Sequence, residues 1–401
     1  MKKILLVLFA MLLAFSFTAC DSNVDQPDVT DTTDAGEQTE DTTEEAKETE
    51  PAAPKMSEEE ARQAIYDKMV ALANMEWTPK VDFDLSTSSK YLQNITYKVG
   101  TTYRGAPYTN EIDATMESFA AILDNGVYMG GLTREDAVGF DCSSAVADAW
   151  RAYNPDIRCT TTKTMFPRQG YGCEAVGYYD HSVRGTTILT TEITKVSTEQ
   201  TMYEAYALLK KSDAVMCRWA SEAAHVRLVS CEPVVVRNPD GTIDGKQSYI
   251  TYCDQTSTIR DFKGYKSNWQ IDAKAYFNKL FENWYIPICL EDFYVNRTQE
   301  MLFTINGMND PNNFPARLTG QITCSQKIME GKVAVLDANG NEMYSEVKEL
   351  KNYCMQIGSF SLVNLRSAVG KNTGKMTFVV SVKTPSTKDA FHEVTRFDFT
   401  K

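Results

Sequence analysis

The sequence has few of the residues from which several common kinds of active site are built. It contains only 3 histidines in 401 residues, with no HExxH pattern for a zinc peptidase and no glycine-rich phosphate loop ending in Lys-Ser or Lys-Thr. Its 10 cysteines include no CxxC pair, so a structural zinc site is not expected. We therefore expect no metal and no cofactor.

Positive charge is also scarce. The chain has 41 Lys and Arg against 54 Asp and Glu, a formal net charge of -13. Contact with nucleic acid depends on clustered cations, so we expect no nucleic-acid partner. The length allows two domains, and the composition leaves the oligomeric state open.

Residues 1–20 predict an export signal. Lys2 and Lys3 precede an apolar run too short to span a membrane comfortably. The run ends Phe-Thr-Ala-Cys20, which resembles the lipobox of bacterial lipoproteins. This resemblance implies lipidation of Cys20 and an extracytoplasmic protein anchored to the bacterial cell membrane; the alternative is an ordinary cleaved signal with a cysteine nearby. Residues 21–55 are acidic and Thr-rich and predict a disordered linker.

Residues 56–290 predict an α+β domain. Ser57 and Glu60 form a capping-box pattern before a helical repeat of apolar residues, and short apolar runs after residue 213 predict strands. From residue 293 to 401, apolar runs recur between turn signals and no helix is indicated. We expect this second segment to be an all-β sandwich domain.

The stretch GFDCSSAVADAW (139–150) predicts a helix with a thiol in its first turn. Asp141 is a suitable N-cap, because its carboxylate can accept a hydrogen bond from a first-turn amide. At this position Cys142 would feel the positive end of the helix dipole, which favours the thiolate. The free amides of the first turn could also bind an oxyanion.

This stretch carries a resemblance to a known family. GVYMGG (126–131) followed by GFDCSSAV (139–146) resembles the PY-x-x-GG and G-x-DCSG-hV signature of NlpC-type cell-wall cysteine peptidases, with differences at Val127 and Ser144. The resemblance extends over roughly 103–288 and implies a papain-like fold. It also implies that Tyr128 borders the nucleophile, and that Ser143 contacts substrate near the oxyanion site.

A cysteine nucleophile needs a base and a group that orients the base. His225 heads AAHVRLVSC, which resembles the family's GHVGIV segment, so His225 is the predicted base and His181 the alternative. Asp254 and Gln255 follow the next predicted strand. We favour Asp254 because a carboxylate best stabilises the imidazolium, while Gln255 remains the alternative and a candidate substrate contact.

These residues predict a cysteine peptidase or amidase. The resemblance implies hydrolysis of amide bonds in peptidoglycan stem peptides, of the D-γ-glutamyl-diaminopimelate type. Two rival hypotheses remain open: a non-catalytic surface lipoprotein that keeps the fold for binding, and a thiol acyltransferase or lipid amidase. Tyr103, Arg104 and Tyr108 lie in a predicted loop and are candidates for lining the cleft.

Overall fold

A computed structural model describes residues 56–85, 95–109, 113–167, 171–179, 189–262, 264–294, 301–370, 372–387 and 390–400. The predicted export signal, Cys20, the acidic linker and His181 lie outside these ranges. Within them, no helix is both long enough and apolar enough to cross a membrane.

The secondary structure is mixed α and β, as predicted for residues 56–290. The helices are α1 (Glu58–Asn74), α2 (Met116–Ala121), α3 (Cys142–Trp150), α4 (Thr190–Val196), α5 (Glu199–Ala207), α6 (Phe277–Glu282), α7 (Glu291–Tyr294) and α8 (Leu362–Val369). The strands up to residue 290 are β1 (Glu76–Pro79), β2 (Phe83–Asp84), β3 (Thr96–Tyr97), β4 (Tyr103–Arg104), β5 (Leu123–Asp124), β6 (Val127–Tyr128), β7 (Cys173–Ala175), β8 (Ala214–Ala220), β9 (Ala223–Val229), β10 (Tyr249–Phe262), β11 (Tyr265–Tyr276) and β12 (Ile286–Leu290). The later strands are β13 (Phe303–Asn306), β14 (Gln321–Leu336), β15 (Glu342–Gln356), β16 (Lys375–Lys383) and β17 (His392–Thr400).

One large sheet organises the first part of the chain. Its strand order is β5-β6-β1-β4-β11-β10-β9-β8-β12-β7, and the run from β11 to β7 is antiparallel throughout. β2 and β3 form a separate two-stranded ribbon. The short turns between β8 and β9 and between β10 and β11 leave no room for a crossover helix, so each of these two pairs is antiparallel.

Helices α1 and α3 pack against each other and against β10, as the sequence predicts for the cysteine helix. The predicted capping box of α1 is confirmed: Ser57 accepts from the amide of Glu60, and the Glu60 side chain accepts from the amide of Ser57. α5 and α6 form a second pair, with α6 on β11 and α5 on β12. Side chains alternate along a strand, so neighbouring residues of β9 and β10 point to opposite faces of the sheet.

The C-terminal part is not the all-β sandwich that the sequence predicts. Strands β13 to β17 form one five-stranded antiparallel sheet, and helix α8 packs against β15. The prediction that no helix follows residue 293 is wrong, because the apolar run after Ser361 has helical spacing. Ser361 caps this helix through the amide of Asn364, and Leu365 and Val369, four residues apart, are buried.

The described residues from Met56 onward form one compact unit that contains two hydrophobic cores. The first core takes residues up to Tyr294 and the second takes residues from Phe314, but Tyr353 of β15 belongs to the first core. Its hydroxyl contacts the carboxylate of Glu174 on β7, which also pairs with Lys327 of β14. The division into domains at 290–293 stays a prediction, and these contacts join its two sides.

Candidate active site

Cys142 is the first residue of α3, and the cap predicted before it is confirmed. Oδ1 of Asp141 accepts from the amides of Ser143 at 2.8 Å and Ser144 at 2.7 Å. In return, the Ser144 hydroxyl accepts from the Asp141 amide at 2.8 Å, which completes a capping box. Ser144 stands where the quoted family signature has glycine, and its hydroxyl completes the N-terminal cap of α3.

This cap changes the prediction about the oxyanion. A carboxylate already takes the amides of Ser143 and Ser144, so they are not free to bind a second anion. Among the first three amides of α3, that of Cys142 is the one that Asp141 does not take.

A second loop is held beside the thiol. Phe140 donates its amide to the carbonyl of Pro107 at 2.9 Å, and Thr109 donates its amide to the carbonyl of Phe140 at 2.9 Å. Gly139 allows this approach, because a Cβ there would lie 2.3 Å from the Pro107 carbonyl oxygen. These two hydrogen bonds bring Tyr108 close to the thiol. The pKa of the Tyr108 hydroxyl lies well above its usual value, mainly because the hydroxyl is buried and also because Cys142 is its neighbour.

The surroundings of the Cys142 thiol act against the thiolate that the sequence predicts. Cys142 is only 5% exposed, and burial is the main reason why its pKa lies well above that of an ordinary cysteine. The negative charges of Asp141 and Asp254 raise the pKa further, and the backbone amide of Val226 lowers it. These effects together favour the protonated thiol over the thiolate.

His225 and Asp254, predicted as base and orienting group, are in direct contact. Nε2 of the His225 imidazole lies 2.8 Å from Oδ2 of Asp254, which is fully buried. A carboxylate accepts hydrogen bonds, so Nε2 must carry the hydrogen, and Nδ1 is left as the nitrogen that can take a proton. Gln270 donates to Oδ1 of Asp254 at 3.2 Å and thereby fixes the carboxylate.

Strands β9 and β10 lie close to the Cys142 thiol. The two strands pair at Tyr252–Val229 and Cys253–Leu228. Further along β9, the amide of Val226, the residue after His225, acts on the Cys142 thiol. The charge of Asp254 also acts on that thiol, so Cys142 lies near the parts of β9 and β10 that carry His225 and Asp254.

Gln255 faces away from His225, as expected for the neighbour of Asp254 on a strand. Its buried amide nitrogen donates to the carbonyls of Ala106 at 2.9 Å and Pro107 at 3.1 Å. Gln255 therefore holds the loop that carries Tyr108, and the choice left open by the sequence falls on Asp254 as the partner of His225.

Two other predicted site residues have structural contacts. The Tyr128 hydroxyl donates to the carbonyl of Gly131 at 3.1 Å and accepts from the amide of Val138 at 3.0 Å, while its ring is buried among aromatic residues. The Ser143 hydroxyl donates to Oδ1 of Asp141 at 2.8 Å. These contacts favour a role in the core for Tyr128 and in the cap for Ser143; their oxyanion and substrate roles stay predictions.

The two remaining loop candidates also make protein contacts. Tyr103 is buried and stacks on Trp77 with ring centroids 5.1 Å apart. Arg104 pairs with Glu76 at 2.6 Å, and its guanidinium lies over the Tyr265 ring. These contacts stabilise the strand that leads into the loop.

Sequence reasoning named Tyr108 only as a general cleft residue and did not single out Arg227, which also binds Asp254. The Pro-Tyr pair at residues 107 and 108 was the available signal for Tyr108, because the quoted signature also contains Pro-Tyr. Arg227 stands where the quoted GHVGIV segment has glycine, and that difference was its signal.

Among the described residues, no group of three or more His, Cys, Asp or Glu side chains is arranged to hold a metal ion. No protein-family model matches the chain, and no curated protein matches it either.

Proposed function

We propose that this protein is a cysteine peptidase or amidase of the papain-like, NlpC-type kind, anchored outside the cell membrane through Cys20. The observation that carries the proposal is the 2.8 Å contact between His225 and Asp254, beside a helix N-terminus that bears Cys142. A nucleophile, a base and an orienting carboxylate are the parts that acyl transfer by cysteine requires.

The proposed reaction begins with a protonated thiol. Because burial raises the pKa of Cys142, His225 removes the proton as sulfur attacks the carbonyl carbon, rather than holding a preformed thiolate. The imidazolium, stabilised by Asp254, then protonates the leaving amine as the C–N bond breaks. Water attacks the resulting thioester with His225 as base, which releases the carboxylic acid and restores the thiol.

Two groups are placed to stabilise the oxyanion formed in this reaction. One is the amide of Cys142, which the Asp141 cap leaves unused. The other is the hydroxyl of Tyr108, which lies at the thiol. A neutral phenol is a donor at this position, and a hydroxyl whose pKa is raised stays neutral during the reaction.

The proposed substrate is the stem peptide of peptidoglycan, with the D-γ-glutamyl-diaminopimelate bond as the first to test. This step depends on the family resemblance around Cys142. Digestion of purified peptidoglycan, followed by mass analysis of the soluble fragments, identifies the bond that is cut.

The matched variants are Cys142→Ala and His225→Ala, with Cys231→Ala and His392→Ala as controls on exposed residues of the same types. We expect no release of fragments from the first two variants and wild-type release from the controls, with all four folded by circular dichroism. Full activity of either site variant would remove that residue from the mechanism.

One observation favours a second candidate function. The thiol is only 5% exposed, which is typical of a structural cysteine as well as of a closed active site. A surface protein that keeps the fold to bind peptidoglycan would retain binding of sacculi in Cys142→Ala and would release no fragments even as wild type. The digestion experiment separates the two.

A further inference from the structure

A cavity of about 470 Å³ opens on the face of the large sheet that carries His225. Cys217, which pairs with His225 across β8 and β9, lines it, as does Arg227, two residues beyond His225 on the same strand. The far wall comes from the end of β11, from α6 and from the segment after α6.

Arg227 is held at the base of this cavity. Its Nε donates to Oδ2 of Asp254 at 3.2 Å, and its guanidinium lies 4.4 Å from the ring centre of Tyr252 and 4.6 Å from that of Tyr285. None of these contacts uses the two Nη groups. A guanidinium fixed between two rings therefore offers its outer pair of donors to the cavity.

The opening of the cavity adds positive charge. The ammonium of Lys274 lies 4.1 Å from the ring centre of Tyr249 and, among the described residues, has no carboxylate in salt-bridge range. Lys279 lines the cavity as well but is paired with Glu282 at 2.5 Å. The chain has a net charge of -13, but this cavity contains the Lys274 ammonium and the Nη groups of Arg227, and these positive groups attract anions.

Aromatic side chains complete the opening. Tyr276 and Trp284 line the cavity, and each keeps about 40% of its surface exposed. Exposed rings beside fixed cationic donors suit a ligand that has an anionic end joined to an apolar or ring-shaped part.

We propose that this cavity binds an organic carboxylate, with its two oxygens on the Nη groups of Arg227, Lys274 nearby, and the apolar part of the ligand against Trp284. A planar guanidinium matches a planar carboxylate in a two-bond arrangement. This binding site goes beyond the proposed function and does not require Cys142 to be catalytic.

Binding in the cavity is also coupled to His225 through Asp254. Asp254 shares its Oδ2 between His225 and Arg227, so a carboxylate on the far side of Arg227 changes the field around that oxygen. Occupancy of the cavity is therefore expected to move the ring signals of His225 in NMR spectra, which are easily assigned with only 3 histidines in the chain.

The test uses the full chain and three related probes: N-acetyl-phenylalanine, its neutral primary amide, and phenyl phosphate. By calorimetry we expect the carboxylate to bind at least about tenfold more tightly than the amide, because it alone can pair with the guanidinium. Binding of the carboxylate should shift the His225 signals. Equal binding of the amide, or tighter binding of phenyl phosphate, would overturn the assignment.

Two variants and a control locate the site. Arg227→Met should lose carboxylate binding, and Lys274→Met, an exposed position that does not endanger folding, should weaken it about threefold to tenfold. Arg396→Met, an exposed arginine of β17, should bind as wild type. If Lys274→Met binds as tightly as the control, the carboxylate does not occupy this cavity.

Discussion

The buried contact between Glu174 and Lys327 supplies a test of how the two hydrophobic cores are joined. Glu174 is fully buried on β7, and Lys327 on β14 is only 2% exposed. The Lys327 ammonium pairs with Oε1, and the Tyr353 hydroxyl donates to Oε2. Burial raises the pKa of Glu174 to about 7, against the opposing effects of Lys327 and Tyr353.

The perturbation is Lys327→Met, which leaves a carboxylate buried without its cation. Removing one partner of a buried ion pair costs about 3–5 kcal/mol of unfolding free energy. At pH 8 we expect a loss of up to this size, because in the folded variant Glu174 must either be ionised without its cation or hold a proton that the unfolded chain releases. At pH 5 the acid is protonated and needs no cation, so the variant should lie within about 1 kcal/mol of wild type.

The direction in which stability changes with pH follows from the two pKa values of Glu174. Its folded-state pKa of about 7 lies above its ordinary value of 4.5, so between these pH values the folded protein binds more protons than the unfolded chain. Stability from this residue is therefore complete below about pH 4.5 and falls as pH rises to about 7. Loss of Lys327 raises the folded-state pKa further and extends that fall to higher pH.

The assay is urea unfolding followed by two signals. All 5 tryptophans lie at or before residue 284, so their fluorescence reports on the first core, whereas circular dichroism reports on both. We expect coincident transitions in wild type and separated ones in Lys327→Met at pH 8. The double variant Glu174→Gln/Lys327→Met should recover most of the loss, because a neutral pair needs no compensation.

Two results would refute this reasoning. A loss below about 1 kcal/mol at pH 8 would mean that the pair is not desolvated as the structure indicates. A double variant as unstable as the single one would mean that lysine packing, and not an uncompensated charge, explains the effect.

Four further predictions concern the candidate active site. Alkylation of Cys142 by iodoacetamide should be slow at pH 7 relative to a free cysteine and rise about tenfold per pH unit to pH 9, since only the thiolate reacts. Asp141→Asn keeps a capping side chain but removes a negative charge, so it should speed alkylation at pH 7; an unchanged rate would contradict the role of that charge. Tyr108→Phe should lower kcat for muropeptide hydrolysis about 100-fold with little change in KM, whereas Tyr128→Phe should lower thermal stability and leave kcat near wild type; the reverse pattern would restore Tyr128 as the oxyanion donor. Asp254→Asn should lower kcat at least about 100-fold in a protein with the wild-type unfolding midpoint, and activity within threefold of wild type would remove Asp254 from the mechanism.

Local patterns in the sequence were sufficient for the parts of the fold that depend on near neighbours. The caps of α1 and α3, at Ser57 and Asp141, form between residues two or three apart, so their side chains and amides specify the helix start directly. The central strands were also predictable, because apolar runs between turns have few alternatives. The pairing of His225 with Asp254 was inferred because both lie on strands that are adjacent in the chain.

Tertiary structure decided what depends on burial and on distant contacts. The pKa of Cys142 rises because residues far along the chain remove water from around the thiol, which a motif does not encode. Tyr108 rather than Tyr128 reaches that thiol because Gly139 lets a distant loop pair with the helix entry. The ion pair between Glu174 and Lys327 links residues more than 150 positions apart. Helix α8 forms where the sequence indicated no helix, and it packs on β15. The sequence by itself thus determined the helix caps and other contacts between near neighbours. The burial of Cys142 and the pairing of distant residues were decided only by the tertiary structure.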